Sequence, residues 1–546
     1  MNGIPDSGYE LLKGILRPPS SRPTRLQQLL PTSGTQHELQ ARLEARHPDL
    51  LWILGGLRGL AQVIFINNPI SGLVLLVAFG VQSPSTALLA LLGTAAAHAT
   101  SALLGLQQNL RREGIHGFNG ALVGCAVAAI ADLEHHPLAG PAWGGLVVVA
   151  ASLSTLALEG WRRSLHRTLD LPPLTLPFVV ITWMLRAVGA LGPGSVLTLA
   201  EPLASPGLDD TWQALALGLP HSIGQVFLCS NLWSAWLVLL AVALASPLAA
   251  GLGLLGALVG MAAALLLGAS PETIAQGLWG YNGVLVAIAI GGIFYAPGLG
   301  SLAVALAGAV LASLIQWLWS ISPAQGWPSF TLAFVLATWL VQLLVRRTLP
   351  ALLPVSLHAI QTPEEHRQRF VLARTVLGDF RRNLDLSLKG QRQPLLAGRV
   401  PISTRRRISQ LFQRLDRDGD GAISAAELLE GLQPEHGVSQ NREELVDPLT
   451  AVLSAMDLDR NGQVDAGEFA ELMLRLQRLR AGEGRLLTYL LPVDANGDDR
   501  LDPAELRRLL TSVGVPPLAV AEERALFARS PRGLSWRQFV DRLLLT

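Results

Sequence analysis

AQVIFINNPISG (Ala61–Gly72) sets Gln62, Asn67, Asn68 and Pro69 inside the first strongly apolar part of the chain. A helix crossing a bilayer has no water to satisfy stray polar groups, so such a cluster needs a reason. GQVFLCSNLWSA (Gly224–Ala235) repeats the pattern, with Gln225 in the place of Gln62, 163 residues on. GFNGALVG (Gly117–Gly124) recurs as GYNGVLVA (Gly280–Ala287) at the same offset. PPLTLPFVVITW (Pro172–Trp183) recurs as PSFTLAFVLATW (Pro328–Trp339) at an offset of 156. Three blocks in the same order identify an internal duplication. The shorter last offset places a few extra residues in the first copy, in the loop near Arg162 to Asp170.

Around these blocks, apolar runs follow one another from Leu50 to Val345. Many are shorter than the ~20 residues a straight spanning helix needs, so some enter the membrane without crossing it. About five spans per copy is an odd number. The copies are therefore expected to be inverted, related by a pseudo-two-fold axis in the membrane plane, with the interrupted segments meeting near the middle. The expected fold class is all-α: a polytopic membrane protein of two inverted repeats followed by a C-terminal helical domain. Repeat one is read as 50–192 and repeat two as 212–345.

Charge supports the division. In a chain of 546 residues, Glu272 is the only formally charged side chain between Thr211 and Val345, whereas charges are dense from Arg346 onward. Arg42, Arg46 and Arg58 open the first copy and Arg346 and Arg347 close the second, which puts both ends in the cytosol. Residues 1–49 read as a cytosolic tail with a helix in QHELQARLEARHPDL. The first apolar run begins too late and runs too long for a signal peptide. Residues 346–407 form a basic linker with twelve arginines and one lysine. Cys125 and Cys229 sit in apolar runs and read as buried small hydrophobes, not as a disulfide.

Residues 408–546 read as an EF-hand domain. In DRDGDGAISAAE (416–427), Asp416, Asp418 and Asp420 occupy loop positions 1, 3 and 5. Gly421 makes the turn, Ala422 offers its carbonyl at position 7, and Glu427 closes the shell at 12. A hard cation such as Ca2+ takes six to eight oxygens, which this spacing supplies. DLDRNGQVDAGE (457–468) repeats the fit with Asp457, Asp459, Asn461, the Gln463 carbonyl and Glu468. DANGDDRLDPAE (494–505) offers Asp494, Asn496, Asp498, the Arg500 carbonyl and Glu505, with Asp499 in place of the usual glycine. A fourth helix–loop–helix outline, ALFARSPRGLSWRQFVDRLL, lacks the carboxylates and is expected to partner the third hand without binding.

The membrane blocks resemble the urea transporter family over roughly residues 50–345. That resemblance implies about ten spanning helices with two re-entrant half-helices, a homotrimer with one pore per subunit, and passive passage of urea through a central filter. It also implies an aromatic and a leucine wall at each end: Phe65 with Leu122, and in the second copy Leu285 with the residue matching Phe65. Here that residue is Leu228, and its neighbour Phe227 is expected to share the role. The family's central threonines correspond to Thr175 and Thr331. Gln62 and Gln225 can offer side-chain oxygens to a flat, neutral solute with four N–H donors, and half-helices ending near Asn67–Asn68 and Ser230–Asn231 would expose carbonyls. Asn119 and Asn282 read as helix braces.

No paired carboxylates for ion coupling lie in these blocks, and no phosphate-binding loop, nucleophile motif or transition-metal cluster marks an enzyme. No basic stretch with interleaved aromatics points to nucleic acid. Alternatives to urea are ammonia, a short amide or water in the same fold, or a membrane-anchored calcium sensor that binds other proteins. Scarce lysine against abundant arginine, alanine, glycine and leucine suggests a GC-rich bacterial genome, and hence an inner (plasma) membrane.

Overall fold

Serine followed by proline starts two of the long helices. The Ser83 and Ser246 hydroxyls accept from Thr86 N and Ala249 N, and Pro84 and Pro247 at the first helical position have no N–H to leave unpaired. These are corresponding places in the two copies. The computed structural model describes residues 33–131, 133, 140–190, 210–324, 326–349, 351, 352, 355, 362–389, 402–424, 427, 457, 461, 463–476, 493, 494, 498, 500–528 and 530–545. They form two compact units, one within Pro23–Arg367 and one within Gln368–Thr546.

The larger unit opens with α1 (His37–Arg46), the helix expected in the N-terminal tail. The first copy follows as α2 (Leu50–Gln62), α3 (Pro69–Gln82), α4 (Pro84–Leu103), the short α5 (Gln108–Arg112), α6 (Phe118–Ile130), α7 (Gly140–Thr168) and α8 (Leu176–Ala190). The second copy repeats the order as α9 (Thr211–Gly224), α10 (Leu232–Ala245), α11 (Pro247–Leu266), the short α12 (Pro271–Ala275), α13 (Tyr281–Ile288), α14 (Leu299–Ser320) and α15 (Leu332–Thr348). By length and composition α4, α7, α11 and α14 can each cross a membrane, and α9 with α10, bent by 74° at their break, form either a broken span or a re-entrant loop. The shorter apolar helices, such as α3 with 14 residues, reach only about 21 Å of the ~30 Å core. Large apolar side chains such as Leu88, Leu266 and Leu299 lie on the outside, where a bilayer replaces water as the solvent.

The copies are joined by reciprocal bonds. Ser71 Oγ donates to Ala241 O at 2.6 Å, and Ser234 Oγ donates to Ala78 O at 2.8 Å. Trp183 Nε1 donates to Pro328 O and Trp339 Nε1 to Pro172 O, both at 2.8 Å. Each bond and its mate exchange the same two positions between copies, as a two-fold relation requires. Within each copy one glycine pair lets two helices touch: a Cβ on Gly93 would meet Gly120 O at 2.1 Å, and one on Gly256 would meet Gly283 O at 2.3 Å. The all-α class holds, since strands among the described residues are two residues long and confined to the smaller unit.

Residues 346–407 are more than a linker. They contain α16 (Pro363–Leu388), a helix of 26 residues whose first turn belongs to the larger unit and whose remainder belongs to the smaller. Arginine density hides its apolar stripe of Ala373, Val376, Leu377, Phe380 and Leu384, all buried at helical spacing. In the smaller unit Phe380 packs edge-on against Phe539 at 5.9 Å. Next come α17 (Ile402–Leu415), β1 (Ala422–Ile423), β2 (Val464–Asp465), β3 (Arg500–Leu501), α18 (Pro503–Ser512), α19 (Val520–Phe527), β4 (Leu534–Ser535) and α20 (Trp536–Leu545). β1 pairs antiparallel with β2, joining the first two calcium loops. β3 pairs with β4, so the fourth helix–loop–helix does sit beside the third loop.

Candidate functional site

The two polar interruptions are the same backbone built twice. Phe65 N donates to Gln62 O at 3.0 Å and Leu228 N donates to Gln225 O at 3.1 Å. Ile66 N reaches Ala61 O, and Cys229 N reaches Gly224 O, both at 3.1 Å. Phe65 and Leu228 then take left-handed conformations, φ 62° and 56°. Side chains with a Cβ hold that conformation at roughly 1–2 kcal/mol each. Leu174 and Phe330, corresponding residues ahead of α8 and α15, are left-handed too, at 55° and 43°. Among the described residues, four of the six non-glycine residues with positive φ thus fall in two matched pairs, which places the strain in the duplicated sites.

Asn68 and Asn231 begin helices instead of ending them. Asn68 Oδ1 accepts from Ile70 N at 2.8 Å and Ser71 N at 3.0 Å, and Asn231 Oδ1 accepts from Trp233 N at 2.9 Å and Ser234 N at 3.2 Å. These are N-caps, so the expectation of half-helices ending there is corrected: the preceding helices stop at Gln62 and Gly224. Pro69 occupies the first position of α3, where a missing N–H costs nothing, and Leu232 serves as well there in the second copy.

The side chains diverge more than the backbone. Gln62 is buried, and its Nε2 donates to Glu113 O at 2.9 Å, which leaves the carboxamide oxygen as its free acceptor. Gln225 is half-buried. Phe65 packs edge-on against two rings, with centroids 5.9 Å from Phe334 and 6.3 Å from Phe294. Leu228 is half-buried. Phe227, expected to share its role, is fully buried, with its ring 5.2 Å from Phe79. Leu122 and Leu285 are fully buried on α6 and α13. Thr175 and Thr331 meet, with their hydroxyl oxygens 2.6 Å apart. The asparagines brace: Asn119 Oδ1 accepts from Phe178 N at 3.2 Å and Asn282 Oδ1 from Phe334 N at 3.1 Å.

One end carries additional ties. Asn68 Nδ2 donates to Gly34 O at 2.7 Å, and Gly34 N to Ala245 O at 3.0 Å. Arg58, fully buried on α2, donates to Thr35 O at 2.8 Å, Gln40 Oε1 at 2.6 Å and Arg112 O at 3.2 Å. The matching His221 keeps only the last kind of bond, Nδ1 to Ala275 O at 2.7 Å. From the other end of the unit, Glu364 accepts from Ser246 Oγ at 2.5 Å and Leu248 N at 2.8 Å, at the start of α11. Glu365 accepts from Thr35 N at 3.4 Å. His366 Nδ1 donates to Gly292 O at 2.9 Å. None of these ties is visible in the sequence, because they pair residues up to 330 apart without a motif.

In the first calcium loop the Asp416, Asp418 and Asp420 carboxylates offer ligand oxygens within 4.8 Å of one another. Gly419 N and Gly421 N donate to Asp416, Asp420 N to Asp418, and Ala422 N to Asp420, so the loop's own amides aim the carboxylates inward. Glu427 accepts from Ser424 N at 2.9 Å, Ser424 Oγ at 2.8 Å and Arg417 N at 2.8 Å. Those bonds, Ser424 first, hold its carboxyl down at about 2, so it is charged at any physiological pH. The donor set is all oxygen and mostly anionic, which fits a hard cation. The second loop repeats the pattern, with Asn461 N on Asp457 and Gln463 N on Asn461, and Glu468 accepts from Asp465 N. In the third, Asp498 N bonds Asp494, Arg500 N bonds Asp498, and Asp502 and Glu505 form a capping box. Asp459, Asn496 and Asp499 lie outside the described residues.

Residues 53–346 match the family model described as urea transporter, and residues 405–474 match the EF-hand domain pair. Urea transporter 1 of Ovis aries is 34% identical over 356 residues, covering 63% of this chain and 91% of the relative. Urea transporter 1 of Rattus norvegicus is 33% identical over 324 residues, 58% of this chain and 82% of the relative. A probable calcium-binding protein of Oryza sativa subsp. japonica is 34% identical over 110 residues, 20% of this chain and 59% of the relative.

Proposed function

The chain belongs to the urea transporter family and carries an EF-hand pair behind its membrane part, and from that premise we propose that it is a passive, selective urea channel regulated by calcium. The observation that carries the reading is the matched pair of polar breaks, each holding a left-handed residue one turn after a glutamine. Strain repeated in two copies marks a place where side chains must be aimed.

Urea presents one carbonyl and four N–H groups, and it enters hydrocarbon only if acceptors replace its water. The Gln62 and Gln225 oxygens accept from it at the two ends. Phe65 with Leu122 flanks it at one end, and Leu228 with Leu285 at the other. In the middle the Thr175 and Thr331 hydroxyls exchange their mutual bond for bonds to the solute, so no group is left unpaired as it passes. Each site is weak enough to release its guest to the next, as conduction requires. The copies lie inverted in an inner (plasma) membrane, ten spans and two half-helices per subunit, with both ends cytosolic. Three subunits assemble, each with its own pore.

Regulation is supported by the anchor at Glu364, Glu365 and His366, which is the first turn of the helix leading into the calcium-binding module. Ca2+ in the EF-hands alters the helix, and the anchor conveys the change to the end of the filter that holds Phe65. Leu228 favours a second reading of solute range, in which short amides also pass.

Swelling of proteoliposomes in a urea gradient tests the channel, with permeability well above empty vesicles expected. Permeability equal to empty vesicles sinks it. Equal urea flux in chelator and in micromolar calcium sinks only the regulation.

A further inference from the structure

Phe65 differs from Leu228 in more than its own ring. Phe334, one ring partner of Phe65, corresponds to Phe178 of the first copy and belongs to the repeated pattern. Phe294, the other, corresponds to Ala131 at the offset of 163 and does not. The first copy ends α6 at Ile130 and turns into extended backbone at Ala131. The second copy instead widens into a π-helical turn over Ala289–Ile293, and Phe294 N reaches back to Ala289 O at 2.8 Å. Such a turn adds a residue to the helix and re-aims the side chains beyond it, a device frequent at functional sites.

The turn is clamped from behind. Val355 N donates to Phe294 O at 2.6 Å, and His366 Nδ1 donates to Gly292 O at 2.9 Å. Pro363 fits so closely that a Cβ on Gly292 would lie 2.6 Å from its Cγ. Phe294 is itself buried, so its ring has little room to swing. Edge-to-face pairs prefer one relative plane, and two of them, at 73° and 69°, restrain the ring of Phe65. In the other copy the residue matching Phe65 is the aliphatic Leu228, and the residue matching Phe294 is Ala131, whose side chain is a methyl group. Both changes act in one direction.

We propose that Phe294 is a positioning residue that fixes the ring plane of Phe65, and that this end of the filter sets the selectivity for unsubstituted urea while the Leu228–Ala131 end admits broader N-substituted ureas. The inference rests on the urea-channel reading. A ring held in one plane gives a slot of fixed width, which an added N-methyl group overfills. A ring free to tilt accommodates that group.

The test measures urea and N-methylurea permeability in the same proteoliposomes for the full chain, Phe294→Leu, Phe294→Tyr and Phe65→Leu. Phe294→Leu is expected to raise the N-methylurea to urea ratio about threefold or more, within the range one methyl group commands in an apolar site. Phe65→Leu raises it at least as far. Phe294→Tyr, which keeps the ring, leaves the ratio at its parent value. A ratio unchanged in Phe294→Leu but raised in Phe65→Leu overturns the positioning role. A ratio unchanged in both overturns the assignment of selectivity to this end. Absence of urea flux in the parent would defeat the channel reading and this inference with it, a result distinct from either.

Discussion

In the first copy the break after Gln62 carries an aromatic wall, two ring partners and ties to chain segments from outside the duplication. The equivalent break after Gln225 keeps the turn, the left-handed residue and the asparagine cap, and has an aliphatic wall. The frame is common because it depends on contacts each copy makes with itself or exchanges with the other: caps, glycine crossings and reciprocal serine and tryptophan bonds. Side chains mounted on that frame face no such constraint and have diverged. Function is therefore expected to be unequal across a backbone that is nearly equal.

The largest effect should come from attacking the shared frame. Gly120→Leu and Gly283→Leu drive side chains into Gly93 O and Gly256 O, and each is expected to cost about 3 kcal/mol or more, read as loss of folded protein on size-exclusion in detergent. Gly80→Ala and Gly251→Ala, with open space around them, should behave as the parent. A Gly283 variant that tolerates the change while Gly120 does not would break the equivalence of the frames.

Next come the glutamines. Gln62→Leu removes an acceptor held in place by Glu113 O and should lower urea permeability about tenfold, whereas Gln225→Leu, whose side chain is only half-buried, should lower it less than about threefold. Equal losses would show that the two ends work alike despite their different surroundings. Leu228→Phe restores the aromatic wall without its clamp and is expected to reduce N-methylurea permeability about twofold with little change for urea. The smallest effect concerns the ties: Glu364→Ala should abolish the flux difference between calcium and chelator, leave flux in chelator unchanged, and leave calcium affinity by calorimetry as in the parent.

Much of this fold is legible in the residues. The helix starts at Ser83-Pro84 and Ser246-Pro247 depend on hydrogen bonds within three residues, and the apolar runs fall on the helices. The calcium loops are readable because contiguous residues supply the ligands. The ends of the breaks are not, since an asparagine beside a proline can close one helix or open the next, and only the direction of its side-chain bond decides. The packing of Phe227 against Phe79 is not legible either, since it joins residues 148 apart with no pattern between them. The ties at Gly34, Thr35 and Glu364 have no signal, as each joins residues with no pattern between them.

By itself the sequence determined the duplication, the membrane and calcium-binding character of its two parts, and the position of the two breaks proposed as the filter. Those depend on spacing along the chain, which fixes helical faces, loop ligands and matched blocks. Only the tertiary structure decided that Phe65 is gripped by Phe294 and Phe334, that Thr175 meets Thr331, and that the first turn of α16 is bonded to α11 and to the turn after α13. Those contacts join residues distant in sequence that helix packing brings together, and packing selects them by shape, not by sequence distance.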